Sequence, residues 1–407
     1  MSFTSASSRW TDVYLVAGGR AISVCGDFLA ATTLALVLQQ AGHGGLAVSG
    51  LLLAAALPPA LLAPLTGRLA DRADSRTVLV LTGAAQALVC AALAVTSHPL
   101  AIIGLVALLA AGLAVTQPTI QALLPRMVHR DDLARASGIT QTAGQVGMLA
   151  APALAGFLVG QTGPRVPLLI DAVSYLALVV VALLIRTRRR GGAGGTAAAP
   201  VAFRLRADRS LTVMTVAIAA TVAGVGAINV IEVFFIRGTL GASSTVFGLV
   251  AASWTVGMLL FSPVFGRVPQ HRLTVRLMLM LLAGSCVAVL AAATVTSAAW
   301  LVPLWIFGGA CNGGLNVCLA VVVAGRVPSA AHGRAFAVIT AVVQGAGLLG
   351  YLVAGPLVEQ FDPRVLVAGA GAAGLLAALS CWPLVRREPR DVPSISEGPE
   401  IRDTVAA

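Results

Sequence analysis

The sequence predicts an all-α membrane protein of twelve transmembrane helices arranged as two parallel six-helix repeats. Three observations carry that reading. The 407-residue chain is 58% hydrophobic and only 11% charged, whereas soluble domains carry about a quarter charged residues. Its apolar runs recur at lengths near the roughly 20 residues that cross a bilayer as a helix. Its two halves resemble one another at a constant offset of 199 residues.

The runs lie near 12–38, 46–70, 76–96, 98–122, 134–160 and 165–186, then 210–236, 244–268, 272–295, 298–325, 334–360 and 363–385. The first is too long for a cleavable signal peptide, and eleven more follow it. Strand-period alternation is absent, which argues against a β-barrel. Between the sixth and seventh runs, "TRRRGGAGGTAAAPVAFRLRADR" breaks the pattern with Gly, Ala and Arg and reads as a flexible linker. The expected domains are therefore 1–186, a linker at 187–209, 210–389, and a polar tail at 390–407.

Every basic residue is Arg, and the arginines alternate with the runs. Arg68, Arg72 and Arg76 separate runs two and three, and Arg126, Arg130 and Arg135 separate four and five. Seven more fill the central linker region, whereas the alternate connections hold only Arg165, Arg237 and Arg364. Arg-rich loops remain cytoplasmic, so both termini are expected there, in a cell (inner or plasma) membrane. The net charge of +11 is thus explained by topology, and no nucleic-acid partner is implied.

The duplication shows in three regions of one register. "ALAGFLVGQTGPRV" (153–166) aligns with "LVAGPLVEQFDPRV" (352–365), "PLTGR" (64–68) with "PVFGR" (263–267), and Arg135 with Arg334. Six helices per half is an even number, so the halves run in the same sense across the membrane.

Gly67, Asp71, Arg72 and Arg76, after the second run, resemble the G-x-x-x-D-R-x-G-R-[RK] loop of the major facilitator superfamily. Asp74 and Ser75 depart from it, standing where a Gly and a basic residue are usual. With twelve runs and the repeat, the resemblance covers essentially the whole chain. It implies that Asp71 latches the halves together on the cytoplasmic side, against the start of helix 11 near Arg334. In helix 5, Gly144, Gly147, Ala151, Pro152, Ala155 and Gly156 resemble the superfamily's antiporter motif, with Ala151 replacing its Gly. Small residues at such spacing let helices approach closely, and Pro bends them. That motif implies export rather than nutrient uptake. "GRAISVCGDFL" (19–29) and "LLIDAVSYLAL" (168–178) are similar to the branch containing bacterial enterobactin and macrolide exporters. The fourth-helix Arg of many proton-coupled drug exporters is missing, and Gln117 is the deepest polar residue there.

Ionisable groups inside the spans are costly unless paired or functional. Asp27, nearest the middle of helix 1, is expected to couple proton movement to cargo movement or to contact a cationic group. A carboxylate withdrawn from water favours its neutral form, which suits that task. Arg20 lies seven residues earlier on the same face, too far for a direct salt bridge. Glu232 is a second coupling candidate, with Arg237 close enough for a local rim pair. Asp171, on a flanking helix, reads as structural. Asn229, Phe235, Trp254, Asn312, Asn316 and Gln344 are expected to face the cavity and hold a bulky, partly apolar ligand.

The six cysteines all fall inside apolar runs without metal-ligand spacing, and the five histidines fall in loops. No metal and no cofactor are expected. The chain contains no G-x-x-x-x-G-K-[ST] and no Lys, so ATP is not the expected energy source. The expected function is secondary export of a small amphipathic drug, siderophore or secondary metabolite by a monomer, through proton antiport of the multidrug-resistance type. A nutrient importer and a transport-inactive sensor or scaffold are the competing readings; enzymatic chemistry is not expected.

Overall fold

The computed structural model describes residues 8–188, 205, 208–327 and 331–386. These form twelve spanning helices, and no strand occurs among the described residues. In chain order they are α1 (Trp10–Gln40), α2 (Gly45–Arg72), α3 (Ser75–Val95), α4 (Pro99–Met127), α5 (Leu133–Thr162) and α6 (Arg165–Leu184). The second half repeats the set as α7 (Arg209–Thr239), α8 (Ser244–Gly266), α9 (Val275–Ala292), α10 (Leu301–Arg326), α11 (His332–Gln360) and α12 (Pro363–Arg386). The offset read from sequence recurs in the helices: α1 and α7, and likewise the starts of α2 and α8, are 199 residues apart.

Local chemistry explains the helix starts. Asp74 caps α3 by accepting hydrogen bonds from the Thr77 N–H (3.0 Å) and hydroxyl (3.3 Å). The departure from the usual loop Gly is therefore a helix cap. Asp208 caps α7 through the Leu211 N–H (3.0 Å), and Thr274 caps α9 through Leu277 (3.3 Å). One feature escaped the sequence: α7 is not continuous. Its α-helix ends at Gly226, resumes over Ile228–Phe234 and closes in a π-turn at Phe235–Thr239. Two glycines near the break and the close approach of α11 at Gly350 account for it.

Pairing is the same in both halves. α1 packs on α5 and α6, α2 on α4, and α3 on α6 and α4; α7 packs on α11 and α12, α8 on α10, and α9 on α12 and α10. The flanking helices carry large exposed apolar side chains, such as Leu88 and Val95 on α3, Val173 on α6 and Leu376 on α12. A water-facing surface of that kind would be unstable; against lipid it is the expected coat.

The halves meet through α2 with α11 and α5 with α8. One apolar core joins them at the end remote from the termini, where Leu38, Val48, Val159, Ile231, Val250 and Ala354 pack in one cluster. At the termini end, the clusters around Leu123 and Met127 and around Met278 and Val323 each belong to a single half. The halves are thus joined by a shared core at the far end, whereas among the described residues each termini-end cluster stays within one half.

The far-end closure follows the repeat. Gly156 of α5 lies against the Ser244 carbonyl and the Gly248 backbone of α8; Gly355 of α11 lies against Ser49 and Gly45 of α2. These two trios superpose at the 199-residue offset. Hydrogen bonds from Gln40 Nε2 to Ser244 Oγ (3.1 Å), from Ser49 Oγ to the Tyr351 carbonyl (2.7 Å) and from the Leu46 N–H to Glu359 Oε1 (3.3 Å) cross the same seam.

Candidate functional site

The site's two charged side chains come from α1. Arg20 and Asp27 are nearly two turns apart, so they share a helix face and are separated by about 10 Å of rise. Both line a cavity of about 590 Å³, within the size range of small-molecule sites. α4 contributes Gln117 and Gln121 and α5 contributes Gln141 and Gln145, each pair spaced i, i+4 and so presented on one face. Val24, Phe28, Leu113 and Met148 form the apolar wall. A second cavity of about 310 Å³ shares Arg20, Gln121 and Gln141 with the first and extends toward Pro125 and Leu133. Every lining residue of both cavities belongs to the first half.

Asp27 is held by the Tyr175 hydroxyl of α6, which donates to its Oδ1. Behind it, Asp171 is wholly buried. The Cys90 thiol donates to Asp171 Oδ2 (3.1 Å) and the Ser174 hydroxyl to Oδ1 (3.1 Å). α1 and α6 approach this closely because residue 26 is Gly: a Cβ there would run into Asp171 Oδ1 and Ser174 Oγ. Among the described residues, neither carboxylate has a basic partner. Asp171 is thus enclosed by hydrogen-bond donors, whereas Asp27 opens onto the cavity.

Arg20 donates from Nη1 to Gln117 Oε1 at 2.6 Å. Its Nε is buried without a hydrogen-bond partner, as is Gln145 Oε1 across the same cavity. The helix 5 motif explains the room around Arg20. Gly144 leaves space for its guanidinium, with Nε only 3.0 Å from where a Cβ would stand, and Gly147 packs on the α1 backbone at Ala21 and Cys25. Further along, the Pro152 carbonyl and Gly156 contact Gly248 across the seam. One motif therefore serves the cavity at one end and the closure at the other.

The second-half candidates lie away from these two cavities. Phe235 is 1% exposed, inside the joint core and beneath the Arg364 guanidinium, because the π-turn of α7 folds it inward. Trp254 stacks edge-on with Trp305 and fills the space over Gly308 and Gly309. Asn229 donates to the Gly226 carbonyl of its own helix (3.2 Å), and Asn316 donates to Asn312 (3.1 Å). Gln344 is exposed. None of these six lines either cavity. Glu232 accepts from the Trp305 indole (3.1 Å), while Arg237 donates to the Ala242 carbonyl (2.8 Å) rather than pairing with it. In the first turn of α3, Arg76 donates to the Ile185 carbonyl; the surroundings of Gly67 and the side chains of Asp71 and Arg72 lie outside what is described.

Of the cavity's glutamines only Gln117 was singled out from sequence, although i, i+4 glutamine pairs on two helices were there to be read. A sequence-family profile described as Major Facilitator Superfamily matches residues 16–234 and again 213–406. The chain belongs to the major facilitator superfamily. By family and fold it is a multi-pass membrane transporter. Among solved members, the nucleoside transporter NupG superposes with a TM-score of 0.74 at 15% identity, covering 93% of this chain and 100% of that one. A bacterial homolog of the human lysosomal transporter Spinster, in an inward-facing and occupied conformation, superposes at 0.72 and 13% identity, covering 93% and 97%. Its inward-facing, unoccupied form gives 0.65 at 14% identity, covering 92% and 94%. These likenesses establish the superfamily fold. A sequence search of curated proteins finds no match.

Proposed function

We propose that this chain is a secondary active exporter that moves a small amphipathic compound out of the cytoplasm by alternating access, in exchange for protons. The reading rests above all on Asp27, a carboxylate without a basic partner that faces a 590 Å³ cavity. The Arg-rich connections argue that the termini end faces the cytoplasm, so the cavity would receive cargo from inside. The helix 5 motif supports export, in the manner of the enterobactin and macrolide exporter branch.

In this scheme, a proton and a cationic group on the cargo compete for Asp27. The halves rock past one another once the carboxylate is neutralised by either, since moving a bare charge through the closed core is costly. The Tyr175 hydroxyl holds the carboxylate in place when the proton has left. The protein acts as a monomer in the cell membrane, with both termini cytoplasmic and no cofactor or metal.

The test is an efflux screen in membrane vesicles with an imposed pH gradient, alongside cellular accumulation. Expression should lower accumulation of the cargo, and Asp27→Asn should abolish gradient-driven efflux. Raised accumulation would reverse the assigned direction, and full transport by Asp27→Asn would overturn the coupling role.

A further inference from the structure

Arg20 is the least satisfied charge in the cavity. Its guanidinium offers five N–H donors, of which one bond goes to Gln117 while Nε is buried with no partner. No acidic side chain pairs with it among the described residues. It lines both cavities together with Gln121 and Gln141, and the unpartnered Gln145 Oε1 belongs to a residue lining the first. A half-buried guanidinium without a counter-charge is unfavourable, and a planar two-oxygen anion is the ligand that its fork matches best.

The repeat supplies an independent argument. At the 199-residue offset, Arg20 corresponds to Ala219, Asp27 to Gly226 and Gln141 to Thr340. α7 nevertheless packs against α11 and α12 as α1 packs against α5 and α6. The fold therefore assembles this helix arrangement without the charges, so packing does not require them in α1.

We infer that the cargo is zwitterionic: an oxyanion, such as a carboxylate, docks on Arg20, and a cationic amine reaches Asp27, about 10 Å along α1. Val24, Phe28 and Leu113 cover the apolar link between its ends. Gln145 Oε1 accepts from a hydrogen-bond donor near the anionic end. The inference rests on the cavity being the cargo site; the transport direction does not enter it.

The test measures saturable binding of radiolabelled ω-aminooctanoate, octanoate, octylamine and octanamide to the full-length protein in lipid nanodiscs, with protein-free nanodiscs subtracted. Extended ω-aminooctanoate separates its charges by about 10 Å, matching the rise along α1 from Arg20 to Asp27. It should bind about tenfold more tightly than each one-ended analogue, the worth of one charge-assisted pair. Arg20→Gln should reduce it to the octylamine level, Arg20→Lys should restore part of the loss, and Asp27→Asn should reduce it to the octanoate level. Octylamine binding as tightly as the zwitterion, unchanged binding in Arg20→Gln, or no saturable binding of ω-aminooctanoate would each overturn the inference. Should Arg20→Gln melt early, the ranking of the four probes on the native protein and on Arg20→Lys decides. Binding is read without a pH gradient, so failure of antiport and failure of the zwitterion site are told apart.

Discussion

Closure at the far end depends on a backbone contact that a single methyl group should disrupt. In Gly156→Ala, the new Cβ would run into the Ser244 carbonyl oxygen and lie 3.0 Å and 3.1 Å from Gly248 Cα and N. All three are main-chain atoms, so no rotamer change relieves them. Restoring ordinary contact requires α5 and α8 to separate by at least about 0.4 Å at Gly248, and by more at Ser244. Overpacking of this kind costs about 1–3 kcal/mol. The cost falls on the state in which the seam is shut, so the equilibrium should move toward far-end opening by about 5- to 150-fold. Val250, fully buried in the joint core, is a suitable reporter. A cysteine at that position should react faster with a membrane-impermeant maleimide in the Gly156→Ala background, relative to the chain without the added cysteine. Gly104→Ala, which meets open space, is the control and should change nothing. Equal labelling in the Gly156→Ala and control backgrounds would refute the argument that this contact closes the molecule.

Its counterpart Gly355→Ala should open the same seam, because the new Cβ would stand 2.6 Å from the Ser49 hydroxyl, 2.9 Å from Ser49 Cβ and 3.1 Å from the Gly45 carbonyl oxygen; Ser49→Gly removes the first two contacts and should rescue part of the effect in the same reporter assay. Asp74→Ala removes the α3 cap and should cost about 1 kcal/mol in thermal melting, while Asp74→Asn keeps most of it. The Thr77 N–H holds the Asp74 carboxyl below the usual carboxylate range, so its contribution is complete above the ordinary aspartate pKa of about 3.9. The charge-dependent part is lost as pH falls through the lowered value, and the melting difference from Asp74→Ala should therefore persist from neutral pH down to that range and narrow only beneath it. Asp12, buried near the termini end, accepts from the Thr187 N–H (2.9 Å) and hydroxyl (2.7 Å). Asp12→Ala should cost about 1.5–3 kcal/mol and speed trypsin cleavage at Arg188; an unchanged cleavage rate would mean that this contact does not secure the end of α6.

Much of the architecture was legible because it rests on composition and spacing. Twelve spans follow from apolar run length, and the 199-residue register, visible in a few matched segments, reappears in the helix boundaries of both halves. Asp27 stood out because a lone carboxylate in an apolar run has few inexpensive explanations. Other features were less accessible. Phe235 looked like a cavity aromatic, yet a π-turn that no run length reveals turns it into the core. Gln121, Gln141 and Gln145 were equally visible but carried no charge to set them apart.

The sequence by itself determined the membrane class, the helix count, the duplication and the small-residue motif on α5, since each depends on residues near one another in the chain. Only the tertiary structure decided which end is shut and which polar side chains share a cavity. Those outcomes turn on helix rotation and backbone approach: Gly156 meeting Gly248 across the seam, Gly26 admitting Asp171, and Gly144 making room for Arg20. A helix turns about 100° per residue, so hydropathy that places a span in the bilayer leaves open which of its faces meets a neighbour, lipid or cargo.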